Sequence, residues 1–224
     1  MSRPLELKPD VEARLLVLIG GGEFSFGETR AIDEFLLAQM PADRRTIAFL
    51  PTASGSAEYA THIGKHFQSI DPTVNTINVP IYRGRDSRRQ KNLDLILSAG
   101  MVYLGGGVTN QVAETLVESA ADLAMRDAAA KGAVIAGIGS SASAFGSHMR
   151  DMRSGGSLPG LNWLSHVVVD TAFDAANDVA LRRLMSIPDV EIGIGLPTGV
   201  ALAVRTDGAT EIIGSGSIAV FRKA

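Results

Sequence analysis

Apolar segments of strand length recur along this chain and alternate with segments of helical periodicity. The strand-like segments are Leu15 to Ile19, Thr46 to Leu50, Val74 to Val79, Met101 to Leu104, Ala133 to Ile138 and His166 to Val169. They are continuously apolar, which is typical of parallel strands covered on both faces. This pattern predicts an α/β fold, a three-layer α/β/α sandwich around a mostly parallel sheet.

The segments between and after these strands complete the predicted architecture. Helical periodicity covers Thr29 to Met40, Asn92 to Ala99 and Gln111 to Lys131. Short C-terminal strands are predicted at Val190 to Ile194, Val200 to Arg205, Thr210 to Ile213 and Ser217 to Phe221. We expect them to form an antiparallel C-terminal extension of the sheet, with a hairpin turn at Asp207-Gly208. No linker or repeat divides the chain, so residues 1–224 are predicted to form a single domain.

Composition excludes several classes of protein. The 224 residues are 46% apolar and 20% charged, which rules out a disordered chain, and a net charge of −3 offers no overall basic surface to nucleic acid. No apolar run reaches the ~18 residues that cross a bilayer, and residues 1–14 lack the apolar core of a signal peptide. The absence of cysteine excludes disulfides and thiol nucleophiles. We therefore expect a cytoplasmic protein with no nucleic-acid or membrane partner.

Glycine-rich loops follow three of the predicted strands. They are residues 20–23, 105–107 and 137–143, and a fourth loop of small residues covers 51–54. In parallel sheets, ligands bind at the carboxyl ends of the strands. Glycine lets main-chain amides approach a ligand closely, although strand-to-helix turns often contain glycine for local reasons alone. Three such loops at one sheet edge favour a site there.

Cofactor and metal signals are weak. A dinucleotide fingerprint starting at Gly20 and Gly22 would need a third glycine where Ser25 stands, and no Walker loop is present. His62 and His66 are spaced for one helix face, but a surface helix with two histidines explains them better than a metal site. No cofactor and no metal are predicted.

Three aspartates occur at intervals of four residues. On a helix, Asp170, Asp174 and Asp178 would stack along one face and attract a cation. Carboxylates are also favoured at a helix N-terminus by the helix dipole. The second interpretation is preferred for Asp170 and Asp174.

A strand–turn–helix sequence is the most informative candidate site. The buried strand ending at Ile138 is followed by small residues and then by a predicted helix, the arrangement of a nucleophile elbow. Ser140 and Ser141 are the candidate nucleophiles there. Main-chain amides at the helix N-terminus and at Gly105 to Gly107 would stabilise an oxyanion. The alternative is an ordinary turn with exposed serines.

Over nearly its whole length, the chain resembles the serine peptidases of the cyanophycinase and dipeptidase E type. The matching segments, in order, are Leu18 to Gly22, Leu50 to Ser54, Tyr103 to Gly107, Gly160 to Leu164, Val168 to Phe173 and Gly193 to Leu202. The resemblance implies the class I glutamine amidotransferase-like fold and a peptidase ancestry. It also implies oxyanion amides in the glycine loop, and ligand contacts at Asn110, Gln111 and Asp170.

The catalytic positions of that family are altered here. Ala172 stands where the family motif Asp-Gln-His-Phe has its histidine. An ungapped alignment of the elbow puts Gly139 at the nucleophile position, whereas a shift of two residues puts Ser141 there, and the ungapped version is preferred. The Asp-Glu pair of a later loop is Pro197-Thr198, and most of the arginines that follow the histidine motif are absent.

A replacement base is not evident in the sequence. His148 falls on the predicted helix beyond the elbow and points away from it, and His166 lies inside a predicted strand on a packed face. A serine without a base is a poor nucleophile near neutral pH. The sequence therefore predicts a protein that has lost peptidase catalysis and binds a small zwitterionic or peptide ligand in the former cleft. An active serine hydrolase using Ser141 or Ser140 is the alternative, and a homodimer is compatible with the resemblance.

Overall fold

The computed structural model describes residues 5–223, which contain twelve strands and seven α-helices. The strands are β1 Leu15–Ile19, β2 Thr46–Leu50, β3 Asn75–Asn78, β4 Met101–Leu104, β5 Val134–Ile138, β6 Gly146–Arg150, β7 Ser157–Pro159, β8 Leu164–Thr171, β9 Ile192–Leu196, β10 Val200–Arg205, β11 Thr210–Gly214 and β12 Ala219–Arg222. The helices are α1 Arg30–Gln39, α2 Ala57–Ile70, α3 Gln90–Ser98, α4 Thr109–Leu116, α5 Ala120–Ala130, α6 Ser140–Ser143 and α7 Val179–Met185. The predicted α/β class is confirmed.

The main sheet has seven strands in the order β11-β10-β1-β5-β4-β2-β3. Five neighbouring strands pair in parallel, in the order β1, β5, β4, β2 and β3. At the other edge, β10 and β11 are antiparallel. Apolar side chains cover both faces. One face packs against α1 and α2, and the other forms the larger core cluster with α3 and α5. Burial on both faces explains why the strands are continuously apolar.

A second sheet of five strands was not predicted. Its order is β12-β9-β8-β6-β7, with β6, β8 and β9 parallel and both edge strands antiparallel. The strand predicted at His166 to Val169 is therefore part of this sheet, and only two of the four C-terminal strands extend the main sheet. Local sequence indicates that a segment forms a strand, whereas the sheet that the strand joins depends on partners that are distant in the chain.

Trp163 attaches the second sheet to the helices of the main sheet. The indole is fully buried, and its Nε1 donates to Asp122 Oδ1 on α5 at 2.8 Å. The guanidinium of Arg126 lies over the ring at 5.3 Å. Burial raises the pKa of Asp122, against the opposing effects of Trp163 and Arg126. Truncation of such a residue to alanine costs about 3–5 kcal/mol.

The long helix predicted over Gln111 to Lys131 is two helices. Glu118 adopts a φ of 54°, which an α-helix does not accommodate, and α4 ends just before it. The side chain of Ser119 then accepts from the amide of Asp122 and starts α5. No helix of the described part of the chain is both long and apolar enough to cross a membrane.

Candidate functional site

The elbow is a sharp turn between β5 and α6. Its tip is Gly139, with φ 58° and ψ −125°, directly after the buried strand residue Ile138. The amide of Gly139 donates to Ile19 O at 2.9 Å, and its carbonyl accepts from Ala142 N at 2.9 Å. The tip is therefore held by main-chain bonds to β1 on one side and to α6 on the other.

Gly139 has room for a side chain. A Cβ built there would have only one atom within contact distance, Gly106 Cα at 4.0 Å. Packing therefore does not require glycine at the tip. The same contact places the elbow and the glycine loop beside each other at one edge of the main sheet, as the sequence predicted.

Three main-chain amides at this edge are free to bind a ligand. Gly106, Gly107 and Ser140 donate to no acceptor among residues 5–223, whereas the neighbouring amides of Gly105 and Gly139 donate to strand carbonyls. Gly107 is exposed, and the other two are partly exposed. Such amides suit the negative end of a ligand.

The two candidate serines differ in their surroundings. Ser141 is 1% exposed, and its hydroxyl donates to Gly105 O at 2.7 Å, so it ties α6 to the glycine loop. The Oγ of Ser140 is buried and has no hydrogen-bond partner among the described residues. A third hydroxyl, that of Ser143, lies 3.4 Å from Thr171 Oγ1 and connects α6 to β8.

The amides of Asn110 and Gln111 hold loops in place. Asn110 Nδ2 donates to Asp151 Oδ1 at 2.7 Å, and its Oδ1 accepts from Met152 N at 3.0 Å. Gln111 Nε2 donates to Tyr82 O at 2.7 Å. Asn110 is buried, so its side chain positions the loop that follows β6, while Gln111 also borders a cavity described below.

Ala172 begins the loop after β8 and lines a cavity of about 400 Å³. Its φ is 49°, and its amide donates to Gly20 O at 2.7 Å, which fixes the loop against the end of β1. The charged residues of this cavity are two arginines and two aspartates, so we call it the balanced-charge cavity: Arg150, Asp170, Asp174 and Arg183. No histidine lines it.

The comparisons with known proteins decide the family. The model of peptidase family S51 matches residues 16–212. The chain belongs to peptidase family S51. This confirms the resemblance to the cyanophycinase and dipeptidase E type.

One curated relative and two solved structures are also similar to this chain. A protein named uncharacterized peptidase YgaJ, from Bacillus subtilis (strain 168), is 28% identical over 129 residues, which are 57% of this chain and 54% of that relative. The matched part is therefore about half of that relative's length. A crystal structure of a peptidase from an acI-B1 Actinobacterium superposes with a TM-score of 0.73 at 19% identity, covering 98% of this chain and 93% of the other. A putative peptidase E protein from Listeria monocytogenes EGD-e gives 0.61 at 13% identity, covering 94% and 99%. These two structures show the fold.

Asp170 is a strand residue, so the acidic helix face and the preferred placement of Asp170 and Asp174 at a helix N-terminus are both wrong. It pairs with Gly195 in the parallel ladder of β8 and β9. Asp174 lies in a turn, where its Oδ1 accepts from Ala176 N at 2.9 Å, and only Asp178 stands at the start of a helix, α7. The parallel pairing with β9 outweighs the helical spacing because it buries Asp170 and its apolar neighbours in the second sheet.

Burial raises the pKa of Asp170. The nearby guanidinium of Arg150, 3.9 Å away, and the amide of Thr171 act in the opposite direction. Asp170 faces α7, whereas Thr171 faces the elbow, because successive side chains of a strand point to opposite faces. Asp170 is thus in the cavity beside Ala172 and is separated from the tip by the thickness of β8.

Two histidines beyond the elbow lie in strands of the second sheet. His148 is in β6, not on a helix as predicted, and His166 is exposed at φ 60°, not packed. His166 Nδ1 is bonded to Asp189 O at 2.8 Å, and His148 Nδ1 lies 3.9 Å from Asp189 Oδ2. Both histidines therefore lie against Asp189.

The two histidines of α2 have different surroundings. His62 is exposed, whereas His66 is largely buried and lies 2.7 Å from the buried Asp33, contrary to its predicted place on the surface. No cluster of three or more metal-ligating side chains occurs within residues 5–223.

Arg150 is the site residue that sequence reasoning missed. It lies on β6, a strand that was predicted as helix. The five residues of β6 include only one large apolar side chain, Met149, and their burial does not alternate, so no periodic signal in the sequence marks this strand.

Proposed function

We propose that this S51 family member has lost peptidase catalysis and binds a small zwitterionic or peptide ligand beside the former active site. The observation that carries the proposal is the elbow tip. Gly139 occupies the sharp turn after β5, so the position that displays a hydroxyl in a nucleophile elbow has no side chain. Because a Cβ would fit there, neighbouring atoms do not exclude a serine from this position.

The surroundings of Ser141 and the residue at position 172 support this proposal. The Ser141 hydroxyl is buried and already donates to a main-chain carbonyl, which leaves it unsuited to attack a substrate. Ala172 stands at the family's histidine position and offers no base. Removal of one member of a catalytic triad alone costs several orders of magnitude in rate.

The ligand class follows from charge. The balanced-charge cavity contributes two guanidinium groups and two carboxylates, which match a ligand carrying both an ammonium and a carboxylate group. The free amides of Gly106, Gly107 and Ser140 do not line this cavity, and they offer a separate place for a carboxylate at the elbow. Neither feature depends on the missing catalytic side chains.

Labelling with a fluorophosphonate probe tests the loss of catalysis. We expect no labelling of the wild type and no turnover of aspartyl dipeptides or cyanophycin. The double variant Gly139→Ser/Ala172→His should gain labelling, and the matched variant Gly139→Ala/Ala172→His, which lacks the hydroxyl, should not. Labelling of the wild type that is lost in one serine variant would overturn the proposal.

The alternative is a serine hydrolase that uses Ser140. The Ser140 Oγ is next to the tip and is buried, but unlike the Ser141 hydroxyl it has no hydrogen-bond partner within residues 5–223, so its proton is not committed elsewhere. For this function, wild-type labelling must disappear in Ser140→Ala and persist in Ser141→Ala. The reverse result would favour the shifted elbow alignment with Ser141.

A thermal-shift screen of amino acids, dipeptides and their amides tests ligand binding. A ligand present at about 100 times its Kd stabilises the native protein by ~2.7 kcal/mol. We expect a hit to stabilise the wild type but not Arg150→Gln/Asp170→Asn. The matched control is Arg205→Gln/Glu211→Gln, which removes the exposed ion pair between β10 and β11. Equal shifts in all three proteins would contradict binding in this cavity.

A further inference from the structure

A second cavity lies along the same edge of the main sheet and has a different charge. Its volume is about 690 Å³. It is lined by the loops that follow β2, β3 and β4, together with one residue from the loop after β6, so it lies where parallel sheets bind ligands. We call it the arginine cavity after its four lining arginines: Arg83, Arg85, Arg89 and Arg153.

Asp86 organises two of these arginines. It is 5% exposed, and its Oδ2 accepts from the amides of Tyr82 and Arg83 at 3.2 and 3.1 Å. Its Oδ1 lies 3.2 Å from Arg89 Nη2 and 3.9 Å from Arg85 Nε. One buried carboxylate therefore shapes the loop and holds two guanidinium groups beside the cavity.

The remaining charges leave an excess of cations. Arg153 pairs with Glu114, and Arg83 makes no side-chain ion pair or hydrogen bond within residues 5–223. Four guanidinium groups thus face two carboxylates, those of Asp86 and Glu114. The balanced-charge cavity, in contrast, has equal numbers of each.

We propose that the arginine cavity binds a small molecule with at least two oxyanion groups. Guanidinium groups bind carboxylate and phosphate in a bidentate manner, so this site is suited to either kind of oxyanion. Arg83 is available for such a bond without breaking an existing one. The hydroxyl of Ser54 lines the same cavity and supplies a neutral polar group.

Calorimetric titration of the full chain tests the proposal. Pyrophosphate and tricarballylate are titrated separately at constant ionic strength, because salt at 0.1 M screens exposed charges that are more than about 10 Å apart. We expect saturable binding of at least one of them. Binding of only pyrophosphate assigns a phosphate ligand, binding of only tricarballylate assigns a carboxylate ligand, and binding of neither overturns the proposal.

Paired variants then locate the site. Arg83→Gln/Arg153→Gln should weaken binding at least tenfold. The control is Arg88→Gln, which removes an exposed charge from the same segment but does not line the cavity, and it should change affinity less than twofold. Equal weakening by the double variant and the control would reduce the effect to overall charge and overturn the proposal. If circular dichroism shows that the double variant does not fold, Arg83→Gln alone should weaken binding at least threefold, and a smaller effect contradicts the site.

Discussion

Two glycine turns meet at one edge of the main sheet, and they use glycine for different reasons. A Cβ at Gly107 would lie 2.3 Å from Ala53 O and 2.4 Å from Ala53 C, so the glycine loop has no space for a side chain. A Cβ at Gly139 would have nothing nearer than 4.0 Å. Both residues have positive φ, at 152° and 58°. The comparison separates a glycine that the packing requires from one whose position has room for a side chain.

Substitution at the crowded turn should have the largest effect. Gly107→Ala combines a backbone strain of about 1–3 kcal/mol with overpacking of similar size. We expect the free energy of unfolding to fall by about 3 kcal/mol or more in urea denaturation. A loss below about 1 kcal/mol would mean that the loop moves away from Ala53 at little cost.

Substitution at the elbow tip should cost less. Gly139→Ala adds a methyl group into open space, so only the backbone strain of about 1–2 kcal/mol remains. The same urea experiment measures it, with Gly107→Ala as the reference. Equal losses in the two variants would show that the tip is as crowded as the loop and would remove the contrast between them.

The hydroxyl that joins the two turns has a smaller expected contribution. Ser141→Ala removes its hydrogen bond to Gly105 O, at an expected cost of about 1 kcal/mol. Ser143→Ala, whose hydroxyl makes only long contacts of 3.4–3.5 Å, is the matched control and should cost less. A larger loss for Ser143→Ala would indicate that α6 is held mainly by β8.

The smallest expected effect is a change of stability with pH. Neither glycine turn contains an ionisable side chain, so this effect comes from Asp170. The pKa of Asp170 is raised by burial, so its contribution to stability is fully present below the unfolded value of 3.8 and is lost as the pH rises through the folded value. The free energy of unfolding of Asp170→Asn, relative to that of the wild type, should therefore be higher at neutral pH than below pH 3.8. The difference should be about 1 kcal/mol or less. Thermal unfolding at several pH values measures the difference, and an effect of opposite sign would show that the pair with Arg150 dominates.

Local sequence determined much of the scaffold. The predicted bounds of β1, β2, β4 and β10 agree with the structure, because burial on both faces produces continuous apolar segments that can be recognised without knowing the neighbours. The sharp turn after β5 was predicted in the same way, from a buried strand that runs into small residues. The ungapped alignment put Gly139 at the tip, and the positive φ of Gly139 supports that choice.

Contacts between distant segments decided the rest. Whether a strand joins the main sheet or the second sheet depends on pairings such as β8 with β6 and β9, which no local pattern contains. Asp170 has helical spacing to its neighbouring acids, yet it is held in a strand by pairing with Gly195. The charge of each cavity likewise arises from separate loops: Arg150 and Asp170 are 20 residues apart, and Arg83 and Arg153 are 70. Periodicity is a local property and can be read from the chain, whereas the charge of a cavity exists only after folding has brought its residues together.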